Sequence, residues 1–445
     1  MLDSRIYSSQ IPEFARIPTV DELDNAIAEL AGRYARLCRL RAVGAARSGY
    51  PLRMLSIGAG RRHALVLGGP HPNEPVGFLT VLELARLVAA HPDLREGLGY
   101  TWHFIPCIDP DGARLNEGWY GGPFALRHYH RHFYRPARYE QPEWTFPAPG
   151  ERAPLDRTLP ETEALMRVID ELRPQFLYSL HNSDLGGAFF VISHDLPGLA
   201  GSLAKLATDH EVPLDLGPTD AIGWPSAAPG VYIGPPVDAT AAEPASGTAT
   251  RTHGASSGHY AGRYGALALV AEVPLWADPR CADPSDAVPY PEMLLRAAAD
   301  LRRDIQPLAD SVARADPLLA ARGPLYTGVT DTLAIAAAAA AMWERRASSG
   351  QVEGRLATVG EVTGIRNSVR RLPLRATGML IRLLQAETAD GSCRAVLGTE
   401  LDAARDRFAT MCSRAEAEIP VAPLPLRRLV SLQTGAGLTA AAHLA

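Results

Sequence analysis

The sequence predicts an α/β fold, a sheet covered by helices on both faces, followed by a mainly helical C-terminal region. Three observations predict it. Up to about residue 285, short apolar runs alternate with stretches of helical periodicity. The run Gly265-Ala-Leu-Ala-Leu-Val-Ala271 is apolar at successive positions, as a strand buried on both faces must be. From about residue 288 strand signals nearly vanish, and apolar residues recur at three-to-four spacing. The chain is therefore divided into a sheet domain, 1–285, and a helical region, 286–445.

Taken in order, residues 20–41 carry helical spacing at Leu23, Ile27, Leu30, Tyr34 and Leu37. Strand-like runs follow at 53–57 and 63–67. A helix from about Glu74 to Ala90 buries Val76, Leu79, Leu82, Leu84, Leu87 and Val88, and stops before Pro92. A strand at 100–107 leads into Asp109-Pro-Asp-Gly112. Residues 113–158, rich in Arg, Pro, Gly and aromatics, read mainly as loop. A helix at 161–172 feeds a strand at 175–180, then come a strand at 188–192 and a helix near 199–210. Residues 213–260 are irregular, a length that in a compact domain points to a functional or mobile loop. The tail predicts helices at 292–312, 330–346, 365–386, 401–417 and 424–432.

Composition narrows the function classes. Of 445 residues, 47% are hydrophobic and 21% charged, as in ordinary globular proteins. A net charge of −5 with no basic tail argues against nucleic acid or an anionic membrane as a partner. The five cysteines, Cys38, Cys107, Cys281, Cys393 and Cys412, are scattered and form no CxxC pair. They read as core residues in a reducing compartment, with no disulfide framework. The N-terminus has no basic-then-apolar leader pattern, and the run Leu333–Met342 is short and alanine-rich for a membrane span. The expected location is cytoplasmic.

The chemistry is carried by polar residues at the predicted strand ends. His71 and Glu74 follow the 63–67 strand, His181 follows 175–180, and Glu272 ends 265–271. In open α/β sheets, sites gather beyond the carboxyl ends of the strands. Two imidazoles and a carboxylate make a His₂Glu zinc set with a fourth position open to water. A further carboxylate beside that water can serve as general base. Glu272, an acid at the end of a very apolar run, suits that role.

Here the sequence resembles the M14-type zinc carboxypeptidases, over roughly residues 15–285. The motifs are Gly69-Pro-His71-Pro-Asn-Glu74, Asp109-Pro-Asp-Gly112, Leu159-Pro-Glu-Thr-Glu163, Ser179-Leu-His181 and Val270-Ala-Glu272. The resemblance implies one zinc held by His71, Glu74 and His181, with Glu272 as base. It implies an α/β/α sandwich around a mixed, mostly parallel eight-stranded sheet. A family arginine that polarises the scissile carbonyl corresponds to Arg114 or Arg127, with Arg114 preferred from its spacing after DPDG. Arg131, in His130-Arg131-His132-Phe133, corresponds to the arginine that grips a substrate carboxylate, although His130 replaces the family's Asn. A family tyrosine on a loop before the base is matched by His253 or Tyr260. The alternating His128, His130 and His132 would share one face of a strand. Trp119, Tyr120, Trp144 and Phe146 read equally as pocket lining or as loop anchors.

The expected activity is hydrolysis of an amide bond at the carboxyl end of a peptide or peptide-like metabolite. An N-acyl amino-acid deacylase of the succinylglutamate desuccinylase and aspartoacylase type shares the HxxE-plus-His site. A non-catalytic peptide-binding relative is the alternative from another class, and retention of Glu272 weighs against it. A third reading makes the helical tail the main function, as a homo-oligomer or partner interface with the sheet domain as scaffold; the tail itself is expected to be a mainly helical unit packed on the sheet domain.

Overall fold

The computed structural model describes residues 4–147, 158–235, 254–390, 394–419 and 423–445. Nine strands form one mixed sheet: β1 (Cys38–Ala45), β2 (Pro51–Ile57), β3 (Arg62–Leu67), β4 (Tyr100–Ile105), β5 (Phe176–Gly186), β6 (Phe189–Ile192), β7 (Ser226–Ala228), β8 (Val231–Ile233) and β9 (Leu267–Ala277). Their order is β1-β2-β4-β3-β5-β9-β6-β8-β7. The centre, β4-β3-β5-β9, is parallel. These strands are nearly continuous in apolar residues because helices cover both faces. The sheet has one strand more than the resemblance implies. Its outermost strand, β7, is a three-residue antiparallel partner of β8 inside the segment that reads as irregular.

Some local readings differ from the structure. The first helix ends at Arg33, and residues 38–41 belong to β1, paired antiparallel with β2. Arg39 and Arg41 alternate there with Cys38, Leu40 and Ala42, a period of two that the arginine-rich run hides. Residues 126–132, in the segment that reads mainly as loop, form a helix, so the alternating histidines do not share one face. His128 and His132 therefore meet at 4.7 Å between ring centroids, while His130 turns inward, 3.8 Å from Asp184.

The tail folds as helices Tyr290–Ala315, Pro324–Ala347, Val359–Asp390, Arg394–Glu418 and Leu426–Leu444. The first four pack on one another, with a short ribbon between Asp286–Pro289 and Leu356–Thr358. The apolar run at 333–342 lies inside Pro324–Ala347, a 24-residue helix long and apolar enough, by length and composition alone, to cross a membrane. It packs against Tyr290–Ala315 and Val359–Asp390.

The last helix crosses back over the position near 285. It packs on Ser4–Ser8, Val76–Ala90, Leu199–Asp209 and β9, and Trp276 bridges to Pro423. A single apolar cluster accordingly includes Leu84 and Leu269 of the sheet unit and Leu429 and Leu438 of the tail. The four described cysteines are free, and Cys393 lies outside the described residues.

One buried acid makes stability depend on pH. Asp215 accepts backbone N–H bonds from Gly217 and Gly187, yet burial pushes its carboxyl up to about 7. The folded state then holds a proton that the unfolded chain has released, so this contribution to stability is full below about pH 4 and is lost as pH rises through about 7. Asp215→Asn should remove that slope. The gap in melting temperature between variant and wild type should shift in the variant's favour from pH 4.5 to pH 8. A gap that stays constant would contradict the assignment.

Candidate metal centre and active site

The loop leaving β3 turns sharply through Gly68 and Gly69. A Cβ on Gly68 would stand 2.2 Å from the Pro106 carbonyl oxygen, and Gly69 has φ +55°. Such positions favour glycine, and the turn delivers His71 and Glu74 just before the helix Val76–Ala90. That helix is tied to β5: the Val76 N–H donates to Asn182 Oδ1 at 3.1 Å. The strand reading stops β5 and β9 too early. Both continue to 186 and 277, so His181 and Glu272 lie within the ladder and are paired in register.

His71, Glu74 and His181 are all buried, and one ligand atom from each lies within 4.8 Å of the others. The imidazole rings of His71 and His181 are 5.0 Å apart between centroids. His181 presents Nδ1 to Glu74 Oε2 at 2.8 Å, and Ser179 Oγ holds its Nε2 at 3.0 Å. Such a partner on the far nitrogen fixes the ring and leaves the near nitrogen for a metal. His71 Nδ1 is buried without a partner among the described residues. Burial, then the charges of Arg135 and His181, hold His71 well below its ordinary value, in the neutral form that ligates metal. Burial pulls His181 down too, but Glu74, Glu272 and Glu143 outweigh it and raise it.

Glu272 stands beside this set and outside it. Its Oε1 is 3.8 Å from His181 Nδ1, and its Oε2 is shut off from water with no partner among the described residues. Burial and then the Glu74 carboxylate push it up to about 8. A dication at the triad would counter that shift and favour the basic form. An orphaned imidazole nitrogen, an orphaned carboxylate oxygen and a His₂Glu donor set all fit a zinc ion with an open position.

Among the described residues, the sequence-based substrate residues are not brought to this cluster. Arg114 pairs with Asp21 at 2.6 Å and stacks on Tyr50. Arg127 is exposed and faces Ser413 and Glu416 on the tail. Arg131 donates to Gln385 Oε1 at 2.5 Å. Tyr260 sits on the helix Ser257–Gly262 and donates to Asp170 at 3.0 Å. His253 lies outside the described residues. Spacing after DPDG could not locate the arginine because residues 110–132 coil into three short helices that redirect the chain.

Other residues lie at or near the cluster. Arg135 Nη1 binds Glu74 Oε1 at 2.8 Å. Trp144 stacks on His71, with centroids 6.1 Å apart, whereas Trp119, Tyr120 and Phe146 are fully buried anchors. Next to Trp144, Glu143 is buried and accepts from Ser257 Oγ at 2.9 Å. Burial lifts it to about 7 against the pull of His181. From the tail, Arg375 grips Asp184 through Nε and Nη2, each at 3.2 Å, across the face of Phe133. Burial opposes the charge of Asp184, but Arg375 and His130 prevail and lower its carboxyl to about 2. Arg135 carried a weak signal, as an arginine in the aromatic loop after DPDG. Arg375 carried none, because it is more than a hundred residues from the motifs.

This geometry agrees with an independent comparison of families. Residues 23–186 match the family model of the zinc carboxypeptidases, M14. The match spans all three zinc-carboxypeptidase ligand candidates and ends before Glu272, whose place rests on the β5–β9 register. No curated protein matches the chain. Among solved structures, it is similar to bovine thrombin-activatable fibrinolysis inhibitor in complex with tick carboxypeptidase inhibitor, at 11% identity and TM-score 0.39, covering 76% of this chain and 99% of that one. It is similar to a metallo-carboxypeptidase from Burkholderia cenocepacia, at 19% identity and TM-score 0.32, covering 56% and 59%. It is also similar to murein-tripeptide amidase MpaA from Escherichia coli O157, at 21% identity and TM-score 0.29, covering 53% and 82%.

Proposed function

We propose that this chain is a zinc-dependent hydrolase that cleaves an amide bond at the carboxyl end of a peptide or peptide-like metabolite. The observation that carries the reading is the separation of roles around His181. Three side chains converge on one point, and a fourth, Glu272, stands next to it with an unpartnered oxygen. Zinc, when bound by His71, Glu74 and His181, supplies a Lewis acid and lowers the pKa of water toward neutrality.

The chain's own residues do the rest. Glu272 Oε2 takes a proton from the attacking water and returns it to the departing amine nitrogen. Arg135 holds the second oxygen of Glu74, keeping the carboxylate turned toward His181. Trp144 backs the His71 ring and excludes water from that side. Recognition of a substrate carboxylate falls to a cation nearer the triad than Arg131, which donates to Gln385 on the tail. Arg135, with 24% of its side chain exposed beside the triad, is the cation best placed.

Two variants separate these assignments. Arg131→Ala should keep KM and kcat near wild type. Arg135→Ala should raise KM and weaken zinc binding about tenfold, since it strips an outer partner from a ligand carboxylate. The reverse ranking, with Arg131→Ala the damaging change, would restore the sequence-based assignment. The function itself is tested by mass spectrometry of zinc-loaded protein with short peptides of varied last residue, half of them amidated at the terminus. Release of terminal residues, lost on chelation, is expected. No release from any peptide would overturn the reading.

A further inference from the structure

We propose that Gln433, on the C-terminal helix Leu426–Leu444, is a positioning residue that sets the metal site from outside the sheet domain; this rests on the zinc reading above. Gln433 is fully buried. Its Nε2 donates to the His181 carbonyl oxygen at 2.7 Å and to the Ala271 carbonyl oxygen at 3.2 Å. One amide group thus ties the backbone of a metal-ligand candidate on β5 to the residue preceding Glu272 on β9. Its Oε1 accepts from Thr80 Oγ1 at 2.6 Å, on the helix that begins two residues after Glu74. Its backbone carbonyl accepts from Tyr178 Oη at 2.7 Å, three residues before His181.

The orientation of the amide is dictated by its partners. Two carbonyl oxygens require donors, and a flipped amide would set its own oxygen against both. The two strands that carry His181 and Glu272, and the helix that follows Glu74, are therefore hydrogen-bonded to one side chain. Shifts of about 1 Å in the support of a catalytic group cost orders of magnitude in rate. Outer partners of metal ligands are correspondingly expensive to lose. Among the described residues, the side-chain donor shared by both carbonyls comes from the tail.

A buried glutamine could instead serve only to dock the tail, so the test separates docking from positioning. Zinc affinity of the full chain is measured by competition with a chromophoric chelator, beside the melting temperature of the zinc-free protein. Gln433→Met keeps the volume and removes the donor. Thr80→Val removes the bond that orients the amide and leaves Gln433 in place. Ser431→Ala, on the same helix, removes only the bond to the Ser8 carbonyl. Gln433→Met should weaken zinc about tenfold or more and lower kcat with KM unchanged. Thr80→Val should weaken zinc less, in the same direction. Ser431→Ala should lower the melting temperature and leave zinc affinity unchanged. Folded Gln433→Met and Thr80→Val proteins with wild-type zinc affinity would overturn the inference alone. If Gln433→Met does not fold, Thr80→Val decides. A wild-type chain that binds no zinc would overturn the functional reading and this inference together.

Discussion

Glu272→Gln is expected to bind zinc and substrate as wild type does and to lose kcat by roughly 10²–10⁴, the range for removing a general base. The substitution keeps the shape of the side chain, and Glu272 is not one of the three converging ligands. Its Oε1 stands 3.8 Å from His181 Nδ1, close enough to act on what the triad holds. The amide lacks the basic oxygen, so the proton of the attacking water has no acceptor. Zinc retention is part of the expectation, because all three ligand candidates are untouched by the change. Near-normal kcat in this variant would end the mechanism, whatever the metal content.

Truncation near residue 285 is expected to abolish cooperative folding. The last helix buries Leu429, Val430, Leu432 and Leu438 completely against the sheet unit. At about 2 kcal/mol for each large apolar side chain, these four alone approach the whole net stability of a typical domain, about 5–15 kcal/mol. The same cut removes Gln433, leaving the His181 and Ala271 carbonyls without that donor, and strips Arg375 from the buried Asp184. A buried charge left without its partner is strongly destabilising. Circular dichroism of residues 1–285 should show no sharp thermal transition. A well-folded, zinc-binding fragment would show instead that the helical region is an appended unit, as the composition change near 285 suggests.

The sheet and the candidate metal ligands were legible in the sequence because their signals are local. His71 and Glu74 share one turn, and β3, β4, β5 and β9 announce themselves as apolar runs. The strand reading failed only at the margins. β5 continues past Leu180 through His181, Asn182 and Asp184, polar residues that are buried at the site. β1 was concealed by its arginines. The substrate side was poorly legible, because Arg114 and Arg127 were chosen by place along a segment that folds into successive short helices and Arg131 by a motif in the same segment. Their true partners, Asp21, Glu416 and Gln385, are distant in sequence. Gln433 and Arg375 were out of reach for the same reason. Each is one polar residue in a long amphipathic helix, and only the packing of that helix shows which face it meets.

The measurement that bears most directly on the centre proposed here is zinc stoichiometry by equilibrium dialysis and elemental analysis, on wild type and on His71→Ala and His181→Ala. Wild type should hold about one zinc per chain, as a three-ligand catalytic site does. Each variant should lose it while remaining folded, since the two rings meet their partners at the site and not in the apolar core. Full zinc in both variants would place the metal elsewhere and contradict the assignment of His71, Glu74 and His181.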